Sequence, residues 1–276
     1  MTTLPAVLPP GLEKLNSNNN KLTKLPPVLP SELKVLDVSN NKLTELPNIQ
    51  RSGLKELYVS NNKLTALPAE LPSGLERLGV WRNALTGSLP ELPSGLKNLC
   101  ASFNKLTGLP RELPPGLETL NLSNNRLTGL PDALPDSLRV VDVTKNKLTK
   151  LPNKLPDKLE ILDAGRNKLT ALPEILPPGL RQLDVRGNAL TRLPPLPNGL
   201  KALDVSDNPI MTWPERLPDR LMQLIISSNQ AHELPNYIQQ LAPGVTRSDG
   251  SILLEIGDNN NYSVSRDQIE ETGWQG

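Results

Sequence analysis

The chain has little of what ordinarily fills or staples a domain. Aromatic residues make up 3% of its 276 positions: three Trp, three Tyr and one Phe. Large rings normally supply much of a core's buried area, so this interior has to be built from aliphatic side chains. The single cysteine, Cys100, excludes an internal disulfide framework and points to folding in a reducing compartment. One histidine, His232, is present. No spacing of Cys, His, Asp or Glu matches a metal site and no glycine-rich loop is placed to cradle phosphate, so neither metal nor cofactor is expected. No apolar run reaches the length of a bilayer span, and the N-terminal MTTLPAVLPPGLEK lacks a signal-peptide core. A net charge of +1 provides no global field for nucleic acid or an anionic membrane. Neither is expected as a partner.

Proline, by contrast, is abundant at 29 residues, and it is locked to a period. Residues 33–47 read LKVLDVSNNKLTELP, and an Asn recurs at 20, 41, 62, 83, 104, 125, 146, 167, 188, 208 and 229. The spacing is 21 residues throughout, except 20 between Asn188 and Asn208, giving eleven repeats. A fixed period of this length with L-x-x-L-x-V-x-x-N-x-L is the signature of a leucine-rich repeat solenoid. The fold class expected is therefore an α/β-type repeat horseshoe, with a parallel β-sheet on its concave face. A solenoid grows by adding units, so the length does not imply two cores.

Within a unit, L-x-x-L-x-V alternates with period two, which sends Leu36 and Val38 inward and Val35, Asp37 and Ser39 outward. The Asn turns the chain, and a buried amide there needs backbone partners in its own turn and the next repeat. The return half, L-T-x-L-P-x-x-L-P, is too proline-rich for a helix. It should run extended or polyproline-like on the convex side. Residues 1–233 are read as the eleven repeats and 234–276 as a C-terminal stretched repeat and capping segment. In that segment LPNYIQQLAPGV carries one or two helical turns, 252–259 forms a last repeat, and Ser265–Gln268 opens a short polar helix as a capping box. At the start, Ser17 stands in a Val column with no cap before it, which reads as a trimmed or incomplete N-terminus with an open apolar edge.

Catalysis has little to work with. Cys100 and His232 are the only nucleophile–base candidates, and six repeat spacings of ~4.8 Å hold them about 29 Å apart, where such a pair needs ~3 Å. No residue is assigned a catalytic role. The outward positions carry more information. Tyr58, Trp81 and Phe103 fall on three consecutive repeats, with Arg77 and Arg82 close by. Exposed aromatics with Arg have the composition of an interface hot spot, so these five are expected to anchor a partner protein on the concave face. The competing reading is that Trp81 or Phe103 folds back as local packing. Trp213 occupies a core Leu column and is read as structural. A second candidate surface is the column Asp142, Asp163, Asp184 and Asp204, one per repeat. Like charges on adjacent strands repel, so the column is expected to lean on Lys145, Arg166 and Arg186 or to meet a basic partner. Its bland reading is that Asp after the strand Leu is common in this repeat type.

Repeats of the form LPxxLPxxLxxLxVxxNxLTxLP resemble those of bacterial type III effectors, the family of IpaH-, SspH- and SlrP-type ubiquitin ligases and YopM-like proteins. LPNYIQQL followed by ILLEIGDNNNYSVSRDQ is similar to the segment that closes the repeat domain in the ligase-type members. The resemblance implies host-protein recognition after secretion into the host cytoplasm. It also implies, as the alternative, the substrate-recognition half of an E3 ubiquitin ligase whose catalytic domain lies outside this chain. The family's catalytic Cys stands in a C-x-D motif. Here the only cysteine is followed by Ala-Ser, so the ligase chemistry carries over to no residue.

Overall fold

The computed structural model describes residues 1–227, 234–239, 245–246 and 251–255. Each repeat lays down one short strand, from Lys14–Asn16 in the first to Gln223–Ser227 in the eleventh, and these run parallel in one sheet in chain order. Pairing is in register: Leu36 lies beside Leu15 and Leu57, and Leu162 beside Val141 and Leu183. The period-two alternation has the expected sense, with Leu33, Leu36, Val38 and Leu43 fully buried. Equivalent residues of the other repeats continue one aliphatic core along the array. Trp213 packs against that core, half-buried, as its column required.

The recurring Asn holds successive turns together. Asn125 Nδ2 donates to the carbonyls of Leu122 (3.0 Å), Ser123 (3.3 Å) and Ala101 (2.9 Å), and its Oδ1 accepts from the Leu106 N–H at 2.9 Å. Ala101 and Leu106 belong to the preceding repeat, so the amide reaches back along the array and not, as expected from sequence, forward. The Ala101 carbonyl also accepts from Asn104 at 3.1 Å. One carbonyl thus serves two side-chain amides, and the bridges run on from repeat to repeat. At the first repeat Asn20 Oδ1 accepts instead from the Met1 ammonium at 2.8 Å, and Lys21 N–H donates to the Met1 carbonyl.

From Asn20 to Asn208, the residue just before each of these asparagines is left-handed. Asn19, Asn40, Asn61, Arg82, Phe103, Asn124, Lys145, Arg166 and Asp207 have φ between 50° and 57°, and Gly187 takes the same place at 62°. Asn is well suited to this region because its short amide bonds locally; larger side chains are strained there.

Two features were not expected. On the return side, Thr86–Ser88 pairs in parallel with Lys105–Gly108 as a small second sheet. Repeat four reads LTGSLP, one residue longer than the usual LTxLP, and Gly87 (φ 72°) with a register shift at Ser88 absorbs the extra residue. The second feature concerns the proposed last repeat. Ser251–Glu255 pairs antiparallel with Gln223–Ser227, whereas a twelfth repeat strand would be parallel. It is fed by Val245–Thr246, also antiparallel to it, through a four-residue link. Four residues are too few for a parallel crossover, which accounts for the antiparallel pairing of these two segments. LPNYIQQL carries a single helical turn at Asn236–Gln239; residues 256–276, with the capping box, lie outside the described residues.

If the amide bridges hold the array, Asn125→Ala should destabilise the protein by about 2–4 kcal/mol, because it leaves the buried Leu106 N–H unpaired and removes one of the donors to each of three carbonyls. Denaturant unfolding gives the magnitude. Faster amide exchange at Leu106 would show that the loss is at this contact.

Candidate functional site

The aromatic–arginine group lies on repeats three to five. Tyr58 ends the strand Glu56–Tyr58, and its hydroxyl donates to Glu56 Oε2 at 2.9 Å. Partial burial, reinforced by the Glu56 contact, pushes the phenol up to about 12. Glu56 also lies 3.6 Å from the Arg77 guanidinium. Tyr58 and Arg77 are thus tied to one carboxylate across neighbouring strands.

The other three residues are not on the strand, as the period-two reading placed them. The repeat-four strand ends at Gly79, and Trp81 and Arg82 form the turn after it. Phe103 occupies the corresponding turn one repeat on. The ladder is only three residues long because the left-handed residue and the Asn turn follow at once. Trp81 is half-buried, with the Arg82 guanidinium 5.7 Å from its ring centroid, a cation–π distance. Phe103 is 50% exposed, an apolar ring open to solvent in the turn after the strand.

Comparing the same position across repeats makes the group stand out. Trp81 stands in a column that is small in most repeats, Ser39, Ser60, Ser102, Ser123, Thr144, Gly165 and Ser206, with Arg186 the other large residue in it. Arg82 and Phe103 replace the Asn of the left-handed column. A bulky residue held at positive φ costs on the order of 1–3 kcal/mol, and such strain concentrates at functional positions. In the sequence the Asn-Asn pairs at 19–20, 40–41, 61–62 and 124–125 mark this position; repeats four and five break the pattern with Arg82 and Phe103, as Lys145, Arg166, Gly187 and Asp207 do further along, and Phe103 is the one aromatic among them.

The aspartate column is mostly satisfied from within. Asp142 Oδ1 accepts from the Thr144 N–H (2.9 Å), and Asp204 Oδ1 from the Ser206 N–H (3.0 Å) and hydroxyl (2.6 Å). Asp163 Oδ1 accepts from Gln182 Nε2 at 3.1 Å. The Asx turn explains why Asp follows the strand Leu: its carboxylate stops the strand by capping the N–H two residues on. Of the three expected cations only Arg186 reaches the column, 3.4 Å from Asp184 and 3.7 Å from Asp204. Gly165 leaves space for it; a Cβ there would lie 3.1 Å from Arg186 Cγ. Lys145 and Arg166, held in left-handed turns, form no ion pair among the described residues.

A family model for the leucine-rich repeat matches residues 32–51, 53–75 and 116–136. With one parallel strand per repeat already seen, this decides the class. The chain is a leucine-rich repeat protein. Comparison with curated proteins finds no match by sequence. Among solved structures, this repeat protein is similar to YopM from Yersinia enterocolitica WA-314, with 37% identity and a TM-score of 0.65 over 80% of this chain and 52% of that one. It therefore spans about half the length of that YopM chain. YopM from Yersinia pestis, a leucine-rich effector protein, is 33% identical over 80% of this chain and 84% of that one, with a TM-score of 0.44. A chain of the octameric complex of latrophilin 3, Unc5D and the repeat protein FLRT2 is 25% identical over 78% of this chain and 74% of that one, with a TM-score of 0.63. The similarity sets this repeat array beside those of bacterial effectors.

Cys100, at the end of the repeat-five strand, is buried, and desolvation pushes its thiol up from the ordinary value. A thiol held protonated is a poor nucleophile. His232 lies outside the described residues. Among the described residues no group of His, Cys, Asp and Glu is arranged to hold a metal, and no helix is long and apolar enough to cross a membrane.

Burial and then the charge of Asp204 raise the Asp184 carboxyl from 3.8 to about 6, partly opposed by Arg186. A folded-state value above the unfolded one means the native protein binds this proton more tightly, so its stability falls as pH rises from about 4 to about 6. Asp184→Asn keeps an acceptor for the Arg186 N–H and removes the charge. The variant is expected to be more stable than the parent at pH 7 by about 1–3 kcal/mol. Urea unfolding at several pH values should show that advantage fading as pH falls toward 4; an unchanged advantage would assign it to packing.

Proposed function

We propose that this array is a non-catalytic protein-binding module, the host-target recognition domain of a secreted bacterial effector acting in the host cytoplasm. Its contact centre would be Trp81, Arg82 and Phe103, flanked by Tyr58 and Arg77. The observation that carries this reading is the exchange of favourable turn residues for costly ones. Arg82 and Phe103 hold a left-handed position that Asn fills in repeats one, two, three and six, Trp81 stands where most repeats have a small residue, and together they present an open ring and an Arg stacked on an indole. Such substitutions weaken the fold locally, so the return has to lie outside it. Rigid aromatic and Arg groups on a stiff sheet lose little entropy on docking and make up the usual energetic centre of an interface. Similarity to YopM, a leucine-rich effector protein, supports the effector setting. On the ligase alternative the same face would select the substrate, with the chemistry supplied from elsewhere.

The test uses the chain as bait for proteins of a host lysate and then measures affinity for what it retains. Trp81→Ala should weaken that binding by about 2 kcal/mol, or roughly thirtyfold. Asp163→Ala should cost under ~1 kcal/mol of binding. Phe103→Asn should separate the two roles of its position, raising stability by about 1 kcal/mol through relief of the left-handed strain while binding drops. If Asp163→Ala is the damaging change and Trp81→Ala binds normally, the contact surface lies instead on the aspartate column.

A further inference from the structure

We infer that the edge of the sheet where the strands end carries a second binding surface, a linear cationic row that fits an extended acidic segment of a partner polypeptide. It is distinct from the aromatic face and does not depend on that assignment. From the second repeat to the eighth, the residue just after the ladder Asn is Lys42, Lys63, Lys105, Arg126, Lys147 or Lys168, interrupted by Ala84, and Lys21 holds the same place in the first repeat. Each of the six is exposed. Their positions along the row are fixed by the backbone: each N–H donates to the carbonyl of the buried Leu one repeat earlier, as in Lys42 to Leu22 and Lys147 to Leu127, at 2.8–2.9 Å. The cations are therefore stacked one per turn of the solenoid.

The opposite edge shows what an array of charges looks like when it serves the fold alone. There the residue preceding each strand changes sign along the array, and neighbours pair: Lys34 with Glu13, Lys97 with Glu76, and Arg139 and Arg181 with Glu160. The row after the Asn has one sign only, and none of its six members forms an ion pair among the described residues. Lys145 and Arg166 stand two residues before Lys147 and Lys168 and add charge of the same sign. A near-neutral chain has thus been divided into one self-neutralised edge and one edge whose counter-charge must come from outside.

The row's form selects among polyanions. Leu43, Leu64, Leu106, Leu127, Leu148 and Leu169 follow the cations into the core, and the next residue, Thr in each case, returns to the surface. The edge therefore presents a line of cations beside a line of hydroxyls, both suited to carboxylates. Six repeat steps of ~4.8 Å separate Lys42 from Lys168, about 29 Å, the length of roughly nine extended residues. Sequence-tolerant nucleic-acid binding adds an aromatic platform for successive bases, and membrane-surface binding adds apolar side chains that enter the interface. The Lys and Thr lines contain neither.

The experiment measures anisotropy of a labelled poly-glutamate peptide with the full chain, alongside labelled single-stranded DNA and anionic phosphatidylserine vesicles. Binding to poly-glutamate should fall at least about tenfold when Lys42, Lys63, Lys147 and Lys168 are all changed to Gln, and should fall steeply with salt. The control removes the same charge from the other edge: Lys34→Gln, Lys55→Gln, Lys97→Gln and Arg181→Gln together should leave binding within about twofold. Trp81→Ala should also leave it unchanged, which separates this surface from the aromatic one. All eight residues are exposed, and circular dichroism of both variants confirms folding. Absence of poly-glutamate binding, an equal loss in both quadruple variants, or tighter binding to DNA or vesicles than to the peptide would overturn the proposal.

Discussion

Everything in this protein depends on the pairing of one turn amide with the turn before it. A short strand of three residues has too few hydrogen bonds to persist alone, and a proline-rich return segment offers none of a helix's. The Asn supplies what both lack. By donating to carbonyls of its own and the preceding turn, and accepting from the N–H of a core Leu, it converts a stack of weak units into one cooperative array. The geometry that delivers the amide also demands a left-handed residue just before it. The binding chemistry proposed here is written largely in that position and its neighbours.

A parallel, in-register stack turns every sequence column into a physical line. That simplifies electrostatics, because the charge on one repeat meets the same column of the next at a fixed spacing. Three solutions occur in one molecule. Alternating signs pair across repeats at one edge. Aspartates of one sign are tolerated in the middle because backbone N–H groups, Gln182 and Arg186 compensate them. Cations of one sign at the other edge are left to solvent or to a partner. Asp184 shows the limit of internal compensation: with Asp204 as its neighbour it is driven toward the neutral form even though Arg186 is in contact.

The same logic separates stability from recognition. Leu, Val and Asn columns vary little because each serves a neighbour on both sides. Arg82 and Phe103 hold bulky side chains in left-handed turns at a local cost, and the Arg82–Trp81 contact lies within the same turn. A solenoid tolerates such local losses since neighbouring interfaces carry the array.

The sequence by itself determined the repeat count, the inward and outward sense of each strand residue, the non-helical return and the structural role of the Asn, because each follows from a period and local stereochemistry. It also offered the aromatic–arginine group as a candidate contact, since columns can be compared without coordinates. Only the tertiary structure decided that Arg82 and Phe103 sit in left-handed turns, that the aspartates cap their own backbone, and that Ser251–Glu255 runs antiparallel. Those outcomes depend on where the three-residue ladder stops, which cation can reach across a glycine, and how short a link turns the chain back. They are distances between repeats, and a periodic sequence encodes the order of its repeats but not how far their side chains reach.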